Sequence, residues 1–213
     1  MPLTLAVDCA MRWINLGLGD DSVFFGCESI NTGAKQAEIL PGLVDAFVSR
    51  FGHGLRDVER VAVTVGPGYY TGIRVGLSYA TALAESVGVK IVPMTTLFAM
   101  AVEFSEAGLL AVPVLKARAG AVYAAAYRSG ACLMEETFLE AAALPERISA
   151  LSCGAREIFF LGEDAENFPE IAHCGAPILH AAHLVGRNMV CAARKISAVD
   201  PTKARALYLR NPD

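Results

Sequence analysis

One order of elements runs through this chain twice, and a duplicated order narrows the possible folds more than any single motif does. The first copy opens with three short strand patterns, "LTLAVD" (3–8), "WINLGL" (13–18) and "SVFFGCE" (22–28). Gly19, Asp20 and Asp21 join the last two and give a hairpin signal. In "AKQAEILPGLVDAFVSRFG", Ile39, Leu40, Leu43, Val44, Phe47, Val48 and Phe51 recur at i, i+3, i+4 and i+7, which predicts an amphipathic helix ended by Gly52 and Gly54. Pro41 lies inside the run, so the helix either starts near it or is kinked there. Next come the strand "RVAVTV" (60–65), a glycine-rich segment, a helix over 71–86, the strand "VKIVPM" (89–94) and a helix over 95–104.

The pattern then restarts with "LAVPVLKA" (110–117), "AVYAAAY" (121–127) and "CLMEETFLE" (132–140), with a tight turn at Arg128, Ser129 and Gly130. A helical run over 143–151 and the strand "EIFFLG" (157–162) follow. After Phe160 the pattern loosens until a closing helix over 180–196, so the second copy is abbreviated. A length of 213 residues admits one large domain or two lobes; the duplication favours two, over 1–106 and 107–213. The expected fold class is α/β. Two facing ribonuclease H-like lobes resemble the architecture of actin, the heat-shock chaperone ATPases and the sugar kinases (the ASKHA superfamily), in which nucleotide lies in the cleft between lobes.

The segment "VGPGYYTGIRVG" (65–76) has two physical readings. A strand, a glycine turn and a helix N-terminus present backbone N–H groups and a positive dipole end, which suits an anion. Yet G-x-x-x-x-G-K-[ST] is absent, no lysine occurs over 61–85, and Thr71 stands where a G-x-G-x-x-G pattern needs its third glycine. In the packing reading, Gly72, Gly76 and Ala80 fall four apart and make a small-residue strip for close approach of a second helix. Gly66 and Gly68 then form the turn, Pro67 stiffens it and Thr71 caps the helix. The packing reading accounts for more residues, with an anion contact beside it or a mere connector as the alternatives.

"GPGYYTGIRVGLSYATALA" resembles the G-P-G-x-x-T-G-x-R-x-G segment of the TsaB (YeaZ) family, a non-catalytic partner in bacterial tRNA threonylcarbamoyladenosine synthesis; Arg74 is its motif arginine. "LAVDCA", "AEILPGLVDAF", "VPMTTLFAMA", "LKARAGAVYAAAY" and "ALYLR" are similar to further segments of that family, so the resemblance spans most of the chain. Lys116 and Ala121 depart from its usual Asp and Glu, and a first-helix histidine is missing near Lys35 and Gln36. The resemblance implies a scaffold subunit that supports the catalytic subunit TsaD, with the ATPase TsaE as second partner, tRNA met through the complex, and a homodimer when alone. It implies transfer of threonylcarbamoyl from its adenylate to N6 of an anticodon-loop adenosine in tRNAs reading codons that begin with A. ATP belongs to the complex; no cofactor, metal or catalytic residue is expected in this chain. The expected seam is Ile39, Leu43 and Phe47 of the first helix with Gly72, Gly76 and Ala80 of the second, so that Gly76→Leu should abolish partner binding and leave the fold intact.

Other chemistries find little support in the residues. Asp8 is followed by Cys9, Ala10 and bulky Met11, Arg12 and Trp13, where a phosphate-binding hairpin needs small residues, which weakens the rival reading as a small-molecule kinase or ATPase. His180 and His183 are the only close histidine pair; i, i+3 spacing on a helix could share a metal, but no third ligand and no H-E-x-x-H accompany them, against the second rival, a metallopeptidase. Ser78 and Ser86 lack a nucleophile-elbow context. A net charge of −4 argues against a free-standing nucleic-acid binder, and the basic tail residues Arg194, Lys195, Lys203, Arg205 and Arg210 read as a solvated helix end. The longest uncharged runs, such as 91–102, fall short of the roughly 20 apolar residues of a bilayer helix, and Asp8 and Arg12 come too early for a signal peptide; a cytoplasmic protein is expected, with no membrane contact. Six cysteines without any C-x-x-C read as reduced core thiols. Apolar residues make up 54% and charged ones 19%, below the roughly one quarter usual for charged residues, so some apolar surface is expected to await a partner.

Overall fold

A computed structural model describes residues 1–151 and 157–209. The chain divides into two compact units, Met1–Ala99 with His183–Leu207, and Met100–Ala182 with the C-terminal residues from Tyr208. The first unit holds a five-stranded mixed sheet in the order β3-β2-β1-β4-β5, built from β1 (Thr4–Asp8), β2 (Trp13–Gly19), β3 (Phe24–Asn31), β4 (Arg60–Thr64) and β5 (Lys90–Met94). The first three strands form an antiparallel meander, and β4 and β5 add in parallel through crossovers containing α1 (Gln36–Ser49) and α2 (Tyr70–Val87). The second unit repeats the arrangement, with β6 (Leu110–Arg118), β7 (Ala121–Arg128), β8 (Ala131–Glu140), β9 (Ile158–Leu161) and β10 (Ile178–Leu179) in the order β8-β7-β6-β9-β10. Both sheets have the expected ribonuclease H-like order and the second copy is abbreviated as expected, ending in the two-residue β10, a strand that the sequence after Phe160 does not reveal. Helices α3 (Thr96–Glu106), α4 (Leu144–Ser149), α5 (Pro169–Ala172) and α6 (Val185–Ala193) complete the set.

β1 is buried along its whole length because both faces of its sheet are covered. Leu5 and Val7 of β1, Leu16 and Leu18 of β2, and Val61 and Val63 of β4 join Leu40, Val44, Phe47, Ala80 and Leu83 of α1 and α2 in one core. Alternation puts Ala6, Gly17 and Ala62, paired Ala6 to Gly17 and Ala6 to Ala62, on the opposite face. There α6 comes very close: an added Cβ on Gly186 would lie 2.1 Å from the Leu16 carbonyl oxygen, and one on Gly17 would lie 2.2 Å from that of Gly186. The closing helix, grouped by sequence with the second lobe, is therefore held by the first unit's sheet, and it is shorter than the 180–196 expected. Asn188 Nδ2 ties it further to the Ala99 carbonyl at 2.9 Å.

α1 continues past Pro41, starting five residues before it rather than at it. Thr71 does not cap α2; the N-cap is Tyr69, without a side-chain bond, because the turn is fixed through the backbone instead. The reading of the cysteines as core thiols holds for Cys9 alone among the described residues: Cys27, Cys132 and Cys191 are exposed and Cys174 is half-buried, while Cys153 lies outside the described residues. His180 and His183 both precede α6, so they do not share the helix that was to bring them together, and His180 Nε2 lies 2.8 Å from Glu166 Oε1. In the second unit, the Lys116 N–H donates to Asp164 and Ala121 is fully buried. No helix among the described residues is long and apolar enough to cross a membrane.

Candidate functional site

Chemistry-bearing residues of the first unit converge where β1 ends. Asp8 is wholly buried, and its carboxylate accepts from the Ala10 N–H at 3.0 Å, Asn15 Nδ2 at 2.7 Å and Thr64 Oγ1 at 2.5 Å. Ser29 Oγ in turn donates to Asn15 Oδ1 at 2.6 Å. Burial pushes the Asp8 carboxyl above its ordinary value, against the pull of the bonds from Thr64, Asn15 and Ala10. The neighbouring Cys9 thiol is pushed far up, first by burial and then by the Asp8 charge, so it is no nucleophile.

The turn that follows is consumed by bonds to both flanking helices. The Tyr69 N–H donates to the Ala10 carbonyl at 2.7 Å, and Gln36 Nε2, from the first residue of α1, donates to the Met11 carbonyl at 3.1 Å. The glycine segment closes on the same turn. Gly66 O accepts from the Thr96 N–H at 2.9 Å, the Gly66–Pro67 bond is cis, and Gly68 lies against the Ala10 carbonyl. A Cβ on Gly72 would stand 2.0 Å from the Cys9 carbonyl oxygen, and one on Gly76 would meet Cys9 Cβ at 3.2 Å. The small-residue strip thus holds a helix close to something, as read, but that something is the end of β1 in the same chain.

This geometry revises the expected seam. Phe47, Gly72, Gly76 and Ala80 are buried in the chain's own core, and only Ile39 and Leu43 remain half-exposed. Leucine at position 76 would collide with Cys9 before any partner arrived, so Gly76→Leu tests folding and not the seam. The outward side of the same two helices instead carries a groove formed by two adjoining depressions of about 480 and 430 Å³ that share Ala37, Tyr70, Thr71 and Val75. Leu40, Pro41, Arg74, Ser78 and Tyr79 line one part; Met11, Arg12, Gly33, Gln36 and Tyr69 line the other, with Gly72 at its floor. Tyr69 and Tyr70 are among the exposed large hydrophobic residues of the described chain, 46% and 45% accessible. Positions 71, 74, 75, 78 and 79 repeat at helical spacing, one residue out of phase with the glycine strip, and that phase is the signal the sequence reading passed over.

Arg194, Lys195, Lys203 and Arg205 of the basic tail are exposed, with Arg194 donating to the Asp21 carbonyl and Arg205 to those of Thr202 and Ala204. Arg210 lies outside the described residues.

Comparison with known proteins gives this arrangement relatives. The model of the family described as "TsaD: tRNA N6-adenosine threonylcarbamoyltransferase" matches residues 31–206. The Bacillus subtilis tRNA threonylcarbamoyladenosine biosynthesis protein TsaB is 31% identical over 110 residues, covering 51% of this chain and 48% of that protein, so the match spans about half of that relative's length. The Escherichia coli protein of the same name is 27% identical over 97% of this chain and 94% of its own. Among solved structures, YeaZ from Pseudomonas aeruginosa superposes with a TM-score of 0.76 at 20% identity, covering 98% of this chain and all of that one, which speaks for the fold.

Proposed function

The chain belongs to the tRNA N6-adenosine threonylcarbamoyltransferase family, in its TsaB/YeaZ group, and from that premise we propose that it serves tRNA threonylcarbamoyladenosine biosynthesis as a binding subunit. In this reading it docks the catalytic subunit TsaD through the groove between α1 and α2 and supplies no reacting group of its own. The observation that carries the proposal is that groove, apolar in its floor and rimmed by two exposed tyrosines, on the outward face of two helices whose inner faces are already committed. TsaE and tRNA would meet this chain through the complex, and the same face would be open to a second copy in the partner's absence.

The turn after Asp8 weighs against a kinase or ATPase role. Phosphate cradles need backbone N–H groups turned outward, whereas here the Ala10 N–H is bonded to a buried carboxylate and bulky Met11 and Arg12 fill the turn. The test is threonylcarbamoyl transfer to unmodified tRNA by matching TsaD, TsaE and an adenylate-forming enzyme, with and without this chain, read by nucleoside mass spectrometry. Modification that depends on this chain is the expected result; equal modification without it would overturn the proposal.

A further inference from the structure

The groove has a charge as well as a shape. The chain carries 22 acidic residues and a net charge of −4, yet the residues lining the groove include Arg12 and Arg74 and no carboxylate. Arg74 is exposed but held: its Nη1 donates to Tyr70 Oη at 2.9 Å, and its guanidinium carbon sits 5.2 Å from the centre of the Tyr70 ring. No carboxylate of a described residue pairs with it. A planar guanidinium has five N–H donors, so one bond to a phenol leaves the fork that suits a carboxylate largely unspent. The stack on Tyr70 removes much of the rotamer freedom a surface arginine would otherwise lose on binding.

The groove also has a direction. Burial, with Asp45 adding to it, pushes the Tyr79 hydroxyl up to about 12, which puts acidic influence toward the C-terminal end of the groove, while the α2 N-terminus gives the other end a positive dipole. From Tyr70 to Tyr79 the wall runs roughly 14 Å, enough for about ten residues of a docked helix. Ridges at i, i+3 and i+4 on α1 and α2 offer such a helix an interdigitating bed.

Resting on the docking role proposed above, we infer that Arg74 selects the occupant by charge, receiving a carboxylate on an amphipathic helix of the partner whose apolar face fills the groove. Arg74 acts as a specificity residue that steers and orients docking, while the apolar floor holds the helix once seated.

The inference is tested by titrating the matching TsaD with the full chain and with Arg74→Gln and Arg74→Lys at low and high salt, following association rates and Kd. Thermal melting of each variant serves as the folding control, and sedimentation of each alone reads self-association. The expected result is salt-sensitive binding by the unaltered chain, a loss of about tenfold and a flatter salt dependence for Arg74→Gln, and an intermediate loss for Arg74→Lys, whose ammonium keeps charge without the fork. If Arg74→Gln binds with unchanged affinity and salt dependence, the charge selection is overturned while the docking role stands. If it alters only self-association, the occupant is a second copy and the inference fails. No binding by the unaltered chain would instead remove the docking role itself.

Discussion

At Gly72 a single missing methyl group decides how the first unit closes. Its position would put a Cβ 2.0 Å from the Cys9 carbonyl oxygen, a rigid backbone atom that cannot yield as a side chain end would. Gly72→Ala is therefore expected to lower stability by about 2–3 kcal/mol, read as a lower urea midpoint at unchanged slope. Asp8 gives the opposite expectation. Its carboxyl is raised above the ordinary value by burial, so the fold favours the protonated form. That contribution is fully present below the unfolded pKa and is lost as pH rises through the folded one. Asp8→Asn, with the Asn15 amide flipped so that it accepts from position 8 and donates to Ser29, should then be at least as stable as the unaltered chain near neutral pH, the advantage vanishing in acid. Urea unfolding across that pH range checks this; a variant markedly less stable at neutral pH would show that the ionised carboxylate is itself a net stabiliser. The sequence made the glycine strip legible at this scale but not its direction. Periodicity states which positions share a face, and only tertiary packing states which face turns inward.

Among the elements, α6 packs on the first unit's sheet for a reason written in the strands. "LAV" at 5–7, "VAV" at 61–63 and "LGL" at 16–18 place a small residue between two large ones on three neighbouring strands. The large residues meet α1 and α2, and the small ones leave a trough where a helix backbone can touch strand backbone. α6 fills it, burying Val185, Met189 and Val190, each worth about 1.5–3 kcal/mol. Gly186→Ala would force a Cβ to within 2.1 Å of the Leu16 carbonyl oxygen, so α6 should lift from the sheet at a cost on the order of 3 kcal/mol. Hydrogen exchange should then speed up across Val185–Ala193 well before it does in β1 or β4; uniform exchange through the first unit would argue that α6 and the sheet open only together. Strand order and the abbreviated second copy were legible because hairpins and crossovers leave local marks. The packing of a helix onto a sheet far away in sequence leaves a mark only when strand registers are compared.

For the molecule as a whole, a subunit that binds without supplying a reacting group leaves a distinct kinetic trace. Its variants change how much of it is needed for activity and not the activity of the filled complex, because the transition state is met by other chains. Val75, half-buried and shared by both parts of the groove, packs against the first unit's core on one side and lines the outward depression on the other, so its variants are read with thermal melting as the folding control. Val75→Glu should still fold, with a lowered melting temperature, yet fail to co-elute with TsaD, since a carboxylate facing an apolar docking floor costs about 2 kcal/mol or more. The milder Val75→Ala should shift the concentration giving half-maximal modification about tenfold while reaching the same plateau. A plateau that stays low however much Val75→Ala is added would mean that the groove shapes the reacting site and does more than hold the partner. Restoration by mass action alone is what a docking subunit requires, and it separates that role from any enzyme hidden in this fold.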